Sequence, residues 1–178
     1  GPLYKKVVNA IREVDTNHVV LLGGAQWNGN FDVFTDWNFD RNMMYTCHRY
    51  GGEPTTEAIQ NLIAFRDKTN LPMYMGETGE NTDEWIRNFR YTLEQNNIGW
   101  HFWPYKKMKN PTSFVHIPVP ENWDKIVAFT ECPRVSFQDV RAARPDQGLV
   151  MKAMNDLLEN CRFGNCVVNE GYVKALTE

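Results

Sequence analysis

Residues 72–79, PMYMGETG, place a carboxylate, Glu77, at the end of an apolar run that closes with glycines. Short apolar runs bounded by Gly or Pro are typical of buried β-strands. Three further segments have this form: HVVLLGG at 18–24, RNMMYTCHRYGG at 41–52 and IGWHFWPY at 98–105. The chain therefore repeats one pattern four times, and the repetition predicts four buried strands.

Segments with apolar residues at helical spacing separate these predicted strands. We expect helices over 4–15, over 53–68 with Pro54 in the first turn, and over 81–97. Strands that are apolar on both faces and alternate with helices predict a parallel sheet covered by helices. The expected fold class is therefore α/β.

The later part of the chain loses this alternation. The prolines within residues 106–122 predict a loop there. Helices are expected near 121–130 and 147–160. Residues 131–178 as a whole form an extension that the pattern assigns poorly.

Length and charge limit the classes of function. At 178 residues the chain has the size of one domain, so we expect a single domain over 1–178, with residues 1–2 as the remnant of a cleaved tag. A net charge of -3 predicts neither nucleic acid nor an anionic membrane as a partner. No apolar stretch approaches the roughly 18 residues of a membrane span, and no export signal opens the chain. The small net charge suits a neutral substrate.

The four cysteines are too few for a disulfide scaffold, and no CxxC pair with a nearby His completes a zinc site. Cys161 and Cys166 in NCRFGNC are close enough to form a local bridge, or they remain free thiols. Cys47 falls within a predicted strand, as a small buried apolar residue. We therefore expect no bound metal.

The ends of the predicted strands carry residue types that bind sugars. Carboxyl ends of parallel strands share one face, so the residues there should converge. They are Gln26, Trp27, His48, Tyr50, Glu77, His101 and Trp103. Aromatic rings cover the apolar faces of pyranose rings, and polar side chains bond their hydroxyls. His48 and Tyr50 lie two apart, so within a strand both can orient a carboxylate on the adjacent strand.

The strings MMYTCHRY, PMYMGETG and IGWHFWPYK, in this order and at these separations, resemble strands six to eight of glycoside hydrolase family 5, the cellulase-type enzymes. YKKVVNAIREVDTNHVVLLGG is similar to helix four and strand five of that family. The resemblance covers residues 4–107 and implies half of a TIM (β/α)8 barrel, since we count four of the eight strand–helix units. It also implies hydrolysis of a β-linked glucan, with cellulose-type β-1,4-glucan first and xyloglucan, mannan or mixed-linkage glucan as alternatives.

The resemblance implies a role for each matched residue. Glu77 matches the nucleophile, and His48 and Tyr50 match the pair that contacts it and the substrate. Trp103 matches the platform under the sugar at the cleavage point. Further expected substrate contacts are Trp27, Gln26, His101 and Lys106. Thr78 departs from the family, which often has Phe there. The resemblance implies no metal or organic cofactor and a secreted or periplasmic location.

A retaining glycosidase needs two carboxyl groups about 5 Å apart. The family's general acid/base is a Glu in an N-E-P stretch at the end of strand four, upstream of everything matched here. The strings GEP at 52–54 and NEG at 169–171 do not follow a suitable strand. Two functions therefore stay open: a glycoside hydrolase acting through Glu77, or a carbohydrate-binding or structural half-barrel without turnover. The expected partners are a β-glucan and either a second copy, in a homodimer, or an N-terminal half-barrel.

Overall fold

Four strands form one parallel sheet in the computed structural model, which describes all of residues 1–178. They are β1 (Val20–Gly23), β2 (Met43–His48), β3 (Met73–Gly79) and β4 (Gly99–Trp103), and they neighbour one another in this order. All three pairings are parallel, because a helix or a long connection carries the chain back between strands. The predicted parallel α/β fold is confirmed.

Three helices lie where the sequence predicts them: α1 (Pro2–Arg12) before β1, α3 (Gln60–Thr69) between β2 and β3, and α4 (Asp83–Gln95) between β3 and β4. The sequence predicts neither the single turn α2 (Ala25–Asn28), which follows β1, nor α8 (Glu170–Thr177), near the end of the chain. The helix predicted from Pro54 begins later than expected. A 3-10 turn at Glu57–Ile59 comes first, and Ile59 has non-helical dihedral angles that separate this turn from α3. Thr82 caps α4 by accepting a hydrogen bond from the Trp85 amide at 3.2 Å.

Strand β2 has one buried face and one face that is partly exposed. In β2, Met43, Tyr45 and Cys47 are buried, whereas the alternate residues, including Thr46 and His48, are half-exposed. The prediction of strands that are apolar on both faces is wrong here. Strand alternation therefore places His48 on the accessible face, opposite the side of the sheet that forms the core.

An aromatic cluster fills the core beneath β2. The Tyr45 ring meets the rings of Phe34 and Phe65 edge-on, with centroids 4.9 Å apart in both pairs. Phe31 lies 4.9 Å from Phe65, and the Tyr45 hydroxyl donates to the Trp37 carbonyl oxygen at 2.8 Å. Burial raises the pKa of Tyr45 to about 12, so this buried hydroxyl remains a hydrogen-bond donor. These rings anchor the segment between α2 and β2.

The chain divides into two compact units: residues 1–104 with 171–178, which contain the parallel sheet, and residues 105–170. The second unit has a three-stranded sheet in the order β5-β6-β7, together with three helices. Its elements are β5 (Lys106–Met108), β6 (Val115–Ile117), α5 (Trp123–Glu131), α6 (Phe137–Ala143), α7 (Gln147–Asn160) and β7 (Val167–Val168). The single domain expected from chain length stays a prediction.

Residues 106–122 differ from the predicted loop, because they contain β5 and β6. The helices predicted near 121–130 and 147–160 are confirmed as α5 and α7. No helix is predicted at α6, although Ser136 and Asp139 form a reciprocal capping box at its start.

All four cysteines are free thiols, so Cys161 and Cys166 form no bridge in the structure. Cys47 is fully buried in β2, as predicted. Burial raises the pKa of its thiol to about 12, which makes it an inert part of the core. None of the helices is long and apolar enough to cross a membrane.

Candidate active site

Glu77 lies near the carboxyl end of β3, directly across from His48 at the end of β2. The register between these strands shifts by one residue after Cys47, which pairs with Met75, because Gly76 is the extra residue on β3. Such irregularities re-aim side chains at the ends of strands. This one brings the carboxylate and the imidazole opposite each other.

Two side chains contact the same oxygen of Glu77. The Tyr50 hydroxyl donates to Glu77 Oε2 at 3.0 Å, and His48 Nδ1 lies 3.4 Å from that oxygen. Burial, together with the hydrogen bond to Glu77, raises the pKa of Tyr50. The phenol therefore keeps its proton over the neutral pH range and remains a donor. The structure thus brings together three of the residues singled out in the sequence.

The prediction that Tyr50 lies on the same strand face as His48 is wrong. β2 ends at His48, so Tyr50 lies in the loop beyond the strand and not on a shared strand face. The Arg49 amide donates to the Glu77 carbonyl oxygen at 3.0 Å, which keeps this loop beside β3. Gly51 and Gly52 then turn the chain away with φ of 70° and 73°, a conformation that favours glycine.

The glycines on both sides of Glu77 allow close approach of neighbouring groups. A Cβ atom on Gly76 would lie 2.3 Å from Thr46 Oγ1 and 3.3 Å from His48 Nε2. Gly79 has a φ of 119°, and a Cβ there would lie 2.4 Å from the Trp103 carbonyl oxygen. The GETG stretch is therefore glycine-rich because the His48 ring and the end of β4 pack against its backbone.

Asn28 is a site residue that sequence reasoning missed. Its Nδ2 lies 3.1 Å from His48 Nε2, on the side of the ring opposite Glu77. Gln26, Trp27 and Asn28 have φ of 52°, 54° and 62°, so α2 winds in the left-handed sense. The Asn-Gly pair in GGAQWNGN is the one signal for such a turn, since Asn tolerates this conformation.

The predicted sugar-binding residues occupy separate places on the sheet's unit. Trp103 follows Phe102 at the end of β4, pairs with Gly79 on β3 and is 46% exposed. Trp27 is 91% exposed on α2, and the Gln26 side chain accepts from Asn30 Nδ2 at 3.3 Å. His101 is exposed on β4. The structure records contact of Glu77 with His48 and Tyr50, and with none of these residues.

Lys106 belongs to the second unit. Its Nζ donates to the Cys161 carbonyl oxygen, which ties β5 to the end of α7. This hydrogen bond gives the ammonium group a structural partner, and the expected sugar contact stays a prediction. No three His, Cys, Asp or Glu side chains within residues 1–178 are placed to hold a metal ion.

Comparison with known proteins gives this geometry a context. A family model described as cellulase (glycosyl hydrolase family 5) matches residues 2–109. An endoglucanase of Clostridium saccharobutylicum is 24% identical over 115 residues, which are 57% of this chain and 25% of that protein. A mannan endo-1,4-β-mannosidase of Cellvibrio japonicus is 24% identical over 87 residues, 44% of this chain and 20% of that protein. The chain thus spans a quarter or less of the length of these curated relatives.

Solved structures show the same fold. Thermotoga maritima Cel5A in complex with mannotriose superimposes with a TM-score of 0.53 at 15% identity, covering 80% of this chain and 53% of that one. The cellulose synthase subunit Z of Clostridioides difficile gives a TM-score of 0.52 at 13% identity, covering 79% of this chain and 53% of that one. The family match extends over more than half of the sequence. The chain therefore belongs to the cellulase family, glycosyl hydrolase family 5.

Proposed function

We propose that this chain carries the nucleophile of a retaining β-glycanase, with Glu77 as the attacking group. The observation that carries the proposal is the convergence of Tyr50 Oη and His48 Nδ1 on Glu77 Oε2 at the carboxyl end of a parallel sheet. Membership of the family supports it, and the substrate class is a β-linked glucan. Cellulose-type β-1,4-glucan is the lead, and mannan follows because a related protein is named as a mannosidase.

The proposed reaction uses Glu77 as a covalent catalyst. An oxygen of its carboxylate attacks the anomeric carbon, the bond to the leaving oxygen breaks, and a glycosyl ester forms. The leaving oxygen keeps the electron pair and takes a proton from the general acid, a Glu that the family resemblance places at the end of strand four, upstream of the residues matched here. Water later hydrolyses the ester. Tyr50 and His48 hold the carboxylate in its attacking orientation, which lowers the entropy cost of reaching the transition state.

The substrate is proposed to lie against aromatic rings. Trp103 ends the strand next to β3, where it pairs with Gly79, and offers a half-exposed ring on which a pyranose ring can stack. Trp27 offers a second, more exposed ring, and the proposed polar contacts are Gln26, His101 and Lys106. The expected partner is therefore a polysaccharide or oligosaccharide, and the proposed location is outside the cytoplasm, as fractionation of the source cells with an antibody would test.

The proposed nucleophile can be tested without any general acid. A dinitrophenyl β-cellobioside with fluorine beside the anomeric carbon has a leaving group that departs as the phenolate and needs little protonation. We expect mass spectrometry to find one fluorocellobiosyl group, in an ester with Glu77. Glu77→Gln should take up none, because the amide keeps the shape but does not attack.

The matched control is Glu84→Gln, which removes an exposed carboxylate from the first turn of α4. This variant should be labelled as the unmodified chain is. A label on Glu77→Gln, or on a residue other than Glu77, would remove Glu77 from the proposed mechanism.

The second candidate function is sugar binding without turnover. The observation that favours it is the exposure of Trp27, whose ring is 91% accessible and makes no contact with Glu77. Three measurements together separate the two functions. A binding protein takes up cello-oligosaccharides in a calorimetric titration, but it is not labelled by the fluorinated cellobioside and does not cleave carboxymethylcellulose. Labelling of Glu77 would support the hydrolase.

A further inference from the structure

The His48 ring lies between two polar groups that constrain where its proton sits. Nδ1 faces Glu77 Oε2 at 3.4 Å, and Nε2 faces Asn28 Nδ2 at 3.1 Å. A neutral imidazole has one N–H donor and one lone-pair acceptor. An ionised carboxylate only accepts, whereas the Asn28 amide nitrogen only donates. The two contacts are therefore satisfied together by one tautomer, with the proton on Nδ1 and the lone pair on Nε2.

The other tautomer would fail at both ends of the ring. A proton on Nε2 would point at the Asn28 amide hydrogens, and the Nδ1 lone pair would point at the carboxylate. Each would turn an attractive contact into a repulsive one, at a ring that is only 23% exposed and therefore poorly screened by water. Rotation of the Asn28 amide would relieve the first conflict but leave the second.

The local backbone is built to hold Asn28 in this place. Three consecutive left-handed residues, Gln26, Trp27 and Asn28, turn the side chain back toward the sheet. This conformation is costly for residues other than glycine and persists where the surroundings enforce it. A Cβ on Gly23 would lie 2.1 Å from Asn28 Oδ1, so the glycine at the end of β1 makes room for the amide.

We propose that Asn28 is a positioning residue that fixes His48 as the Nδ1-protonated tautomer and so keeps a donor aimed at Glu77. The catalytic relevance of this role rests on the proposed function of Glu77 as the nucleophile. The Asn28 side chain makes its hydrogen bond to the His48 ring and none to the Glu77 carboxylate. It acts through the ring, by occupying the Nε2 lone pair and holding the imidazole plane toward β3.

The tautomer can be measured in the unliganded protein by nitrogen-15 NMR of the histidine rings, which distinguishes a protonated from an unprotonated ring nitrogen. The chain has four histidines, and the His48 signals are assigned by their loss in His48→Gln. At a pH where the rings are neutral, we expect Nδ1 of His48 to be protonated and Nε2 to be bare. A protonated Nε2 in the unmodified chain would overturn the proposal.

Asn28→Asp tests the cause. Asp tolerates the left-handed conformation as Asn does, so the turn should survive, but its carboxylate accepts and does not donate. Carboxylates then face both ring nitrogens, so Nε2 of His48 should become protonated in this variant while Nδ1 keeps its proton. Gly23→Ala should displace the Asn28 side chain and so allow the proton onto Nε2 in part of the molecules. Asn30→Ala, a change in the same turn that leaves the His48 contact in place, should keep Nδ1 protonated and Nε2 bare. An Nε2 that stays bare in Asn28→Asp would overturn the proposal.

Labelling kinetics connect the tautomer to the proposed function. With the fluorinated cellobioside, Asn28→Asp should lower the maximal labelling rate about tenfold or more, while the concentration that gives half of that rate changes little. An unchanged maximal rate in a variant whose Nε2 has become protonated would remove Asn28 from positioning of the nucleophile. Failure of the unmodified chain to be labelled would count against the proposed function, while the NMR result would still decide the tautomer.

Discussion

Two side chains of different chemical character contact Glu77. The Tyr50 hydroxyl is a neutral donor, and burial together with the hydrogen bond to Glu77 raises its pKa, so its proton is present at neutral pH. The imidazole of His48 is more distant, at 3.4 Å compared with 3.0 Å for the phenol. Hydrogen-bond strength falls with distance, so Tyr50 should contribute more to the orientation of the carboxylate.

Tyr50→Phe removes this hydrogen bond while keeping the ring. We expect the maximal rate of Glu77 labelling to fall about tenfold, because a hydrogen bond to a charged group is worth ~1.5–3 kcal/mol. The matched control is Tyr91→Phe, since Tyr91 is 41% exposed and Tyr50 is 42% exposed, but Tyr91 donates to the Glu178 carbonyl oxygen instead. Equal labelling rates for the two variants would show that the Tyr50 hydroxyl does not position the nucleophile.

Trp103 offers a separate test, directed at binding. Trp103→Ala removes a half-exposed ring at the end of β4, and we expect it to weaken cello-oligosaccharide binding by about 1–3 kcal/mol through lost stacking area. Calorimetric titration measures this loss. Phe137→Ala removes an exposed ring from the start of α6 and should leave the affinity as it was. An unchanged titration with Trp103→Ala would exclude stacking on this ring.

At the scale of elements, the sequence predicted well wherever a repeating pattern carried the information. The four apolar runs predicted β1 to β4, because buried parallel strands need long apolar side chains. Tyr50 was assigned to the wrong element, since the pattern does not reveal that the chain leaves the strand after His48. The contact with Glu77 forms nonetheless, because the Arg49 amide continues the pairing with β3.

The elements that went unpredicted lack such a pattern. α2 contains three left-handed residues in succession, and the Ala, Gln and Trp of the segment have no preference for that conformation. The contact between Asn28 and His48 depends on this turn, so it was not predictable. β5 and β6 have three residues each, too few for a period of two to stand out among lysines and prolines. The start of α6 did carry a signal, in Ser136 and Asp139.

An ion pair is one of the contacts that attach α1 to the sheet. Arg12, in the last turn of α1, donates to both oxygens of Asp40, from Nε at 2.9 Å and from Nη2 at 2.8 Å. Asp40 stands just before β2, and both side chains are largely buried. Hydrogen bonds from Arg12 lower the pKa of Asp40 from 3.8 to about 2. A bidentate pair of this kind holds geometry as well as charge.

Asp40→Asn should destabilise the fold by about 1–2 kcal/mol at neutral pH. This figure is smaller than the full shift in the Asp40 pKa implies, because solvent screens the partly exposed pair. Because the pKa of Asp40 is lower in the folded state than in the unfolded state, ionised Asp40 stabilises the fold at pH values above its unfolded pKa of 3.8. This stability is lost as the pH falls toward the folded pKa of about 2. The difference between the variant and the unmodified chain in urea unfolding should therefore shrink from pH 5 to about pH 2.

The control for this pair is Asp67→Asn, which breaks the exposed contact of Arg66 with its neighbour and should cost little. The stability of the variant is compared with that of the unmodified chain because other carboxylates titrate in the same pH range. Hydrogen bonds from backbone amides of the following turn, for example, lower the pKa of Asp15 to about 2. A difference between Asp40→Asn and the unmodified chain that stays constant down to pH 2 would contradict the ionic origin of the stability.

At the scale of the whole molecule, the parallel sheet has two outer strands. β1 pairs with β2 alone, and β4 pairs with β3 alone, so each has one row of backbone groups without a strand partner. Val19 and Leu21 of the β1 segment are about half exposed. An apolar outer strand with free backbone groups is a template for pairing with another chain.

We predict that two copies of the chain associate through these outer strands in a homodimer with two-fold symmetry, because pairing buries both the backbone edges and the apolar side chains beside them. Light scattering at micromolar concentration should give a mass of twice 20.7 kDa. Leu21→Lys should shift the protein toward the monomer, since a charge on an outer strand opposes edge pairing. Val14→Lys adds the same charge at an exposed position after α1 and should leave the dimer intact. A stable monomer that binds no hydrophobic dye would contradict the prediction, because it would show that water and the chain itself already satisfy both edges.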